Sequence, residues 1–503
     1  MKEEILRLEN LTQVKDEVLL LDNFNLHIFK GEIMGLVCLN DHGRNSLMEI
    51  ICQNVPIHFG RVYFNDQLVN DYIHSSMSRN KVALIEKQSK LVEDLTVVDN
   101  IFVLRRGFKK YLINKKVLNS QFQIFAKELE LSIDGKEYIC NLSPFEKIVV
   151  ELLQAIIHGV KLILVKDISN FISAADLKRF QSFIQYYSKQ GYSFIYICNH
   201  HEEAFQICSR VSLMENGKIL KVLNPNEFND AMMAPYIAEF YNNNLINNSE
   251  NNSKKQGILS FEQVYTKNFR GISFTVQKGE CSVILDVNNT VLTDIMELMS
   301  REKQPDFGKI TLDGKDYYNR KNKSALKKGI GFINEQPTKS MIFYNSSYLD
   351  NLIFLVDQKI SHIRISKKLK KSIIQEYEPY IGKDIYETKL SSLSPFSLYN
   401  LVYYRLHLCN PKIVFCMQPF YNADMYLRKH ILFLINELKQ KGITVILLTV
   451  SLEDSLMVAD RVLIFEEGRL RKEYLKKEFS KLEQMKNQIN SPINPKFIPL
   501  RYK

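Results

Sequence analysis

Apolar positions along the chain fall into two kinds of run. Short blocks rich in β-branched and aromatic residues, KLILVK (161–166), SFIYIC (193–198) and VSLM (211–214), recur later as KIVFCM (412–417), TVILLT (444–449) and VLIF (462–465). Between them lie longer segments with apolar residues at helical spacing, such as DLKRFQSFIQYYSKQ (176–190) and YLRKHILFLINELKQK (426–441). The short blocks predict strands and the longer segments predict amphipathic helices. Their alternation predicts an α/β fold with a mostly parallel sheet covered by helices.

Between a strand-like run, EIMGLV (32–37), and a helix-like run, SLMEIICQ (46–53), lies CLNDHGRNS (38–46), where a phosphate-binding loop would belong. That motif, G-x-x-x-x-G-K-[ST], points backbone N–H groups and a helix N-terminus at phosphates, while Lys reaches the terminal phosphates and a hydroxyl holds Mg²⁺. Here Cys38 stands for the first Gly, Gly43 for the second, Arg44 for the Lys and Asn45 for the hydroxyl residue, with Ser46 one position on. Arg44 keeps the charge without the compact ammonium. The nine residues alone are a weak signal.

Comparing the chain with itself strengthens it. LSPF at Leu142–Phe145 returns at Leu393–Phe396, an offset of 393 − 142 = 251, and the segments around Arg210 and Arg461 repeat at 461 − 210 = 251. KGE at Gly31 returns at Gly279, 279 − 31 = 248, so the chain is a tandem duplication. YNNNLINNSENNSKKQ (241–256) has almost nothing apolar to bury and reads as a flexible linker, giving domains at 1–240 and 257–503.

Composition then narrows the function classes. With 503 residues, 45% hydrophobic and 24% charged, the chain is an ordinary globular protein of two or more domains. No apolar run reaches the roughly 18–20 residues that span a bilayer, and MKEEILRLEN is no signal peptide, so a cytoplasmic location is expected. Eight cysteines without C-x-x-C spacing read as buried thiols, and His200 with His201 lacks a partner at metal-ligand spacing. The net charge of +11 is spread along the chain apart from a richer tail after Arg471, ending in IPLRYK; no nucleic-acid partner is expected. Nineteen glycines, about half of the ordinary ~7%, are few for a protein that binds phosphate.

In the order of its motifs the chain resembles an ATP-binding cassette protein, specifically the duplicated ATP-binding subunit of bacterial simple-sugar importers of the ribose and galactose type. The phosphate-loop position, LSPF, the KLILVKDIS strand and the ENGKIL hairpin follow in family order, and FQICSRVSLMENGKI is close to the family's own phrasing. The resemblance implies two tandem P-loop NTPase-like domains, each with a helical subdomain, paired head to tail. It puts nucleotide-binding positions on Asn40, Gly43, Arg44, Asn45, Ser46, Gln88, Asp167, Asn199 and Thr293, and metal positions on Ser46 and Asp167. The signature loops fall on Ser143 and Phe145 and on Ser394 and Phe396.

Departures from the family pattern are many. Asp167 is read as the metal-linked carboxylate and Ile168 as the replacement of the general-base Glu; Asn199 replaces the switch His, and Lys87 stands beside Gln88 at the metal-sensing Gln. In the second copy Asp286-Val-Asn-Asn-Thr-Val-Leu-Thr293 keeps neither glycine nor base, and Met417 and Gln418 replace the Asp and Glu. Phe145 and Phe396, each after a Pro, replace a glycine that admits the γ-phosphate; packing into a core is the competing role for these rings. No catalytic residue is expected to survive. ATP with Mg²⁺ is expected at the first domain and weakly or not at all at the second. The expected protein is a degenerate ATP-binding subunit, peripheral at the inner face of the cell membrane, that partners a permease or a membrane sensor. An active sugar-import ATPase and a soluble twin-cassette ribosome factor are the alternatives, the latter disfavoured by the short, Asn-rich linker.

Overall fold

The computed structural model describes residues 3–15, 17–74, 79–103, 114–229, 231–233, 235–236, 256–318, 324–356, 366–452 and 454–480. The linker expected at 241–256 lies outside them except for Gln256, as does the tail from residue 481. The chain divides into two compact units, Met1–Glu239 and Phe240–Lys503.

In the first unit the apolar blocks become β3 (Ile33–Cys38), β7 (Leu162–Lys166), β8 (Ser193–Cys198) and β9 (Arg210–Glu215). With β6 (Val82–Ile85) and β10 (Lys218–Leu223) they form a six-stranded sheet in the order β10-β9-β3-β8-β7-β6. All neighbours are parallel except β9 and β10, which form an antiparallel hairpin. Every residue of β3 and β8 is buried, as continuous apolar blocks demand of strands covered on both faces. One covering layer is helical, with α1 (Arg44–Gln53), α2 (Lys115–Glu128), α3 (Pro144–Ile157), α4 (Ala174–Lys189) and α5 (His201–Ile207) as the helices of this unit used below. A separate antiparallel sheet, β2-β1-β4-β5, comprises β1 (Glu4–Lys15), β2 (Val18–Phe29), β4 (Phe59–Phe64) and β5 (Gln67–Asp71). Leu6, Leu47, Ile50, Leu36, Leu164 and Ile195 share one core between that sheet, α1 and the parallel strands.

The second unit repeats the plan. Its parallel sheet runs β16-β17-β18-β13-β19-β20 and its antiparallel sheet β12-β11-β14-β15. The strands are β11 (Gly257–Tyr265), β12 (Arg270–Gln277), β13 (Cys281–Asp286), β14 (Phe307–Leu312), β15 (Lys315–Asp316), β16 (Ile330–Ile333), β17 (Ile413–Met417), β18 (Thr444–Thr449), β19 (Arg461–Glu466) and β20 (Arg469–Leu475). The helix after β13 is α6 (Leu292–Ser300); α7 (Pro395–Cys409) and α8 (Met425–Gln440) repeat α3 and α4.

Each unit also repeats a carboxylate at the start of its phosphate-loop strand paired with an Arg of the neighbouring strand. Arg210 Nε lies 2.6 Å from Glu32 Oε1, and Arg461 Nε lies 3.0 Å from Glu280 Oε1. Glu280 Oε1 also accepts the Gln277 N–H and the Ser282 hydroxyl, each at 2.8 Å, which offsets part of the cost of its burial. Glu280→Ala leaves the buried Arg461 with only Glu473 and should cost about 3 kcal/mol, roughly 6–12 °C in the melting of the second unit, followed by circular dichroism.

Candidate functional site

The first loop is built by crowding and by tethers. Gly43 has φ 76°, and a Cβ there would meet the Leu20 carbonyl oxygen at 2.1 Å, so this glycine survives because the chain passes against β2. Asn40 ties the loop to the β9–β10 hairpin: its Nδ2 donates to Asn216 Oδ1 at 2.8 Å and its Oδ1 accepts the Asn216 N–H at 3.1 Å. His42 Nε2 lies 2.6 Å from the Leu19 carbonyl oxygen. Asn40 thus holds the loop in place rather than offering its side chain to a ligand. Burial pushes the Cys38 thiol up to about 12, against the opposing pull of Arg44, so a neutral thiol stands at the first-glycine position.

Arg44 opens α1, and only 3% of it is exposed. Its guanidinium reaches Asp41 Oδ1 at 2.7 Å, Asp167 Oδ2 at 3.0 Å and Asn199 Oδ1 at 3.1 Å. Three of the sequence-derived positions, Arg44, Asp167 and Asn199, therefore meet in one place, together with Asp41 of the same loop. The residue that should reach for phosphate instead binds two carboxylates of its own unit. A second cation follows: Lys166 Nζ donates to Asn45 Oδ1 at 3.3 Å and lies 3.9 Å from Glu86 Oε2.

The registers of the two units correct the reading of this strand end. Lys166 pairs with Ile197 at the end of β7, and Met417 pairs with Leu448 at the end of β17; both equivalences span 417 − 166 = 448 − 197 = 251. The next residues, Asp167 and Gln418, both take left-handed backbone (φ 49° and 41°) and donate their N–H to Ile197 and Leu448 at 2.9 and 2.8 Å. Asp167 thus corresponds to Gln418, and Lys166 to Met417. In the frame already used for the second copy, Lys166 replaces the metal-linked Asp and Asp167 stands at the general base. Ile168, fully buried, is not the base position, and Asp167 is not the metal position. Ser46, expected as a metal position, is the buried third residue of α1, one place beyond Asn45.

The second loop is closed from within. Asp286, at the position of Cys38, accepts the Thr290 and Val291 N–H groups on Oδ2, both at 2.6 Å, and the Asn288 N–H on Oδ1 at 3.3 Å. Its carboxylate turns into the loop and collects those amides itself. Burial raises its pKa above the ordinary carboxylate range, and the amides pull the other way. Asn288 Oδ1 accepts the Glu467 N–H at 2.9 Å, repeating the tether of Asn40. Thr293 lies exposed in the first turn of α6.

The two signature helices differ. Ser143 caps α3 in a closed box: its N–H and hydroxyl both donate to Glu146 Oε2 at 2.8 Å, and the Glu146 N–H returns to Ser143 Oγ at 3.2 Å. Phe145 is 7% exposed and packs against Phe183 and the Arg179 guanidinium, so of its two candidate roles the inward one is realised. Ser394 caps α7 through the Ser397 N–H at 3.2 Å, with no acidic residue in the first turn. Phe396 is 38% exposed, its ring 5.2 Å from that of His430.

Gln88 is exposed in the turn after β6. Sequence reasoning missed what fixes that turn. Glu151, on α3, accepts the Ser89 hydroxyl at 2.8 Å and the Lys90 N–H at 2.7 Å on one oxygen, joining the turn to the signature helix. A lone Glu in an apolar helix, VVELLQ, was the available signal.

Residues 21–168 match the family model described as ABC transporter. Over 486 residues the chain is 24% identical to the ribose import ATP-binding protein RbsA of Caldanaerobacter subterraneus subsp. tengcongensis, covering 95% of this chain and 97% of that one. It is 23% identical over 477 residues to the galactose/methyl galactoside import ATP-binding protein MglA of Haemophilus influenzae, covering 93% of both. A solved structure of archaeal ribosome recycling factor aABCE1 with the stalk protein aP1 matches with a TM-score of 0.59, 14% identity, and 95% and 92% coverage, a likeness of fold.

Burial raises the Glu151 pKa. The folded unit therefore binds more protons than the unfolded chain just above pH 4.5, and stability should fall as pH rises through that window. Glu151→Gln keeps an acceptor oxygen and should flatten this slope in urea titrations taken between pH 4.5 and neutrality.

Proposed function

From the ABC transporter domain that residues 21–168 form, we propose that this chain is a non-hydrolysing ATP-binding-type subunit serving a sugar-type permease or a membrane sensor at the inner face of the cell membrane. Likeness to ribose and galactose import subunits over 93–95% of the chain supports the transporter side of this reading. The observation that carries the loss of turnover is the Arg44 guanidinium held between Asp41 and Asp167. Asp167 stands at the general-base position, which is what an active ATPase would need, but a carboxylate 3.0 Å from a buried guanidinium is committed to that cation and does not orient water. In this reading nucleotide affinity belongs to the first half, because Asp286 fills the second loop, and the two halves pair head to tail.

Phosphate release from ATP by the purified full chain should stay below one turnover per minute, since loss of general-base function alone costs about 10²–10⁴ in rate. Sustained turnover on the scale of seconds would show an active importer subunit instead. Co-purification should recover an integral membrane protein; recovery of ribosomes in its place would favour the twin-cassette ribosome factor.

A further inference from the structure

We propose that the first half takes the phosphates of a nucleotide without a divalent metal, the tethered Lys166 ammonium standing in the ion's place. This rests on the reading of the first half as the nucleotide-binding one.

Magnesium does not fit the residues present. It asks for about six oxygens near 2.0–2.1 Å in octahedral array, commonly a hydroxyl, a carboxylate-held water shell and phosphate oxygens. At the hydroxyl position stands Asn45, whose side-chain oxygen is already given to Lys166 at 3.3 Å. The carboxylates nearest the loop, Asp41 and Asp167, are given to Arg44 at 2.7 and 3.0 Å. At the metal-linked Asp position the chain has Lys166 itself, so a dication would meet an ammonium where it needs a carboxylate. Among the described residues, no group of three or more His, Cys, Asp or Glu could hold a metal ion.

The same residues supply what the ion would have supplied. Lys166 is the last residue of β7, its side chain 16% exposed, and the bond to Asn45 with the nearby Glu86 aims its Nζ at the start of α1. An ammonium has three donors, so it can keep Asn45 and Glu86 and still face a phosphate oxygen. It also brings positive charge to the N-terminal end of a ten-residue helix. The second unit is the internal contrast: Met417 occupies the equivalent strand end, and there the loop amides are bound to Asp286 rather than left for a ligand.

The test is ATP binding to the full chain by calorimetry, in excess Mg²⁺ and in EDTA. Affinities should agree within about threefold. Lys166→Met, which installs the residue the second unit tolerates at this place, should weaken binding in EDTA roughly tenfold or more. Its melting temperature serves as the check on folding. Lys166→Asp combined with Asn45→Ser should make binding depend on Mg²⁺ by about tenfold or more. Wild-type binding at least tenfold tighter with Mg²⁺ overturns the proposal, as does a folded Lys166→Met that binds normally in EDTA. Absence of binding under both conditions overturns it too and leaves the non-hydrolysing reading standing. That reading is decided separately, by phosphate release. If Lys166→Met does not fold, the wild-type comparison with and without Mg²⁺ decides alone.

Discussion

A buried guanidinium must be neutralised where it stands, and the arrangement of the first site follows from that requirement. Arg44 is placed by the close passage of Gly43 against β2, which fixes where α1 begins. Once buried, its charge draws Asp41 from the loop, Asp167 from the end of β7 and Asn199 from the end of β8. Three separate segments are thereby cross-linked through one side chain. Breaking such a group by removing one member leaves an uncompensated buried charge, typically several kcal/mol. The loop shape is thus maintained by the protein's own ion pairs, which is the role a bound phosphate plays in a nucleotide-dependent loop.

The second unit meets the opposite problem by the opposite means. Its loop has lost both glycines and the base, so its converging amides have no cation to balance and need an anion. Asp286 provides one from within at the cost of burying a carboxylate, and three N–H bonds offset that cost. The two halves keep the same sheets, the same register and the same hairpin tether, Asn40 to Asn216 and Asn288 to Glu467, while their loops are stabilised by charges of opposite sign. Fold and site have separated in this chain, since the framework needs only a closed loop and not a ligand.

The architecture was legible because it rests on pattern. Continuous apolar blocks read as buried strands, and the 251-residue offset pointed to two copies of one plan. What the sequence could not show was direction. KDIS allows the motif frame to slide by one residue, and only the pairing of Lys166 with Ile197 shows that the Lys ends the strand. Phe145 and Phe396 occupy the same motif, yet one ring finds Phe183 and Arg179 beneath it and the other finds His430 at the surface. Asp286 was readable as a charge in the loop but not as a charge turned inward, because that depends on where the amides of Asn288, Thr290 and Val291 point.

The signature helices extend the same economy of charge. In α3 the third residue of the helix is Glu146, and its carboxylate collects the N–H and hydroxyl of Ser143 that a phosphate would otherwise engage. In α7 the equivalent residue is Ser397, whose hydroxyl turns away to Asp384, so the Ser394 end carries a cap but no anion of its own. A helix N-terminus already holding a carboxylate gains little from a second negative group, whereas one without it keeps its full preference for one. The loop carrying cations and the signature lacking an anion thus occur in different halves, and so do the loop carrying Asp286 and the signature carrying Glu146. Each unit therefore carries its own distribution of charge: the first sets Arg44 and Lys166 at its loop and Glu146 at its signature helix, and the second sets Asp286 in its loop with only the Ser394 cap at its signature helix.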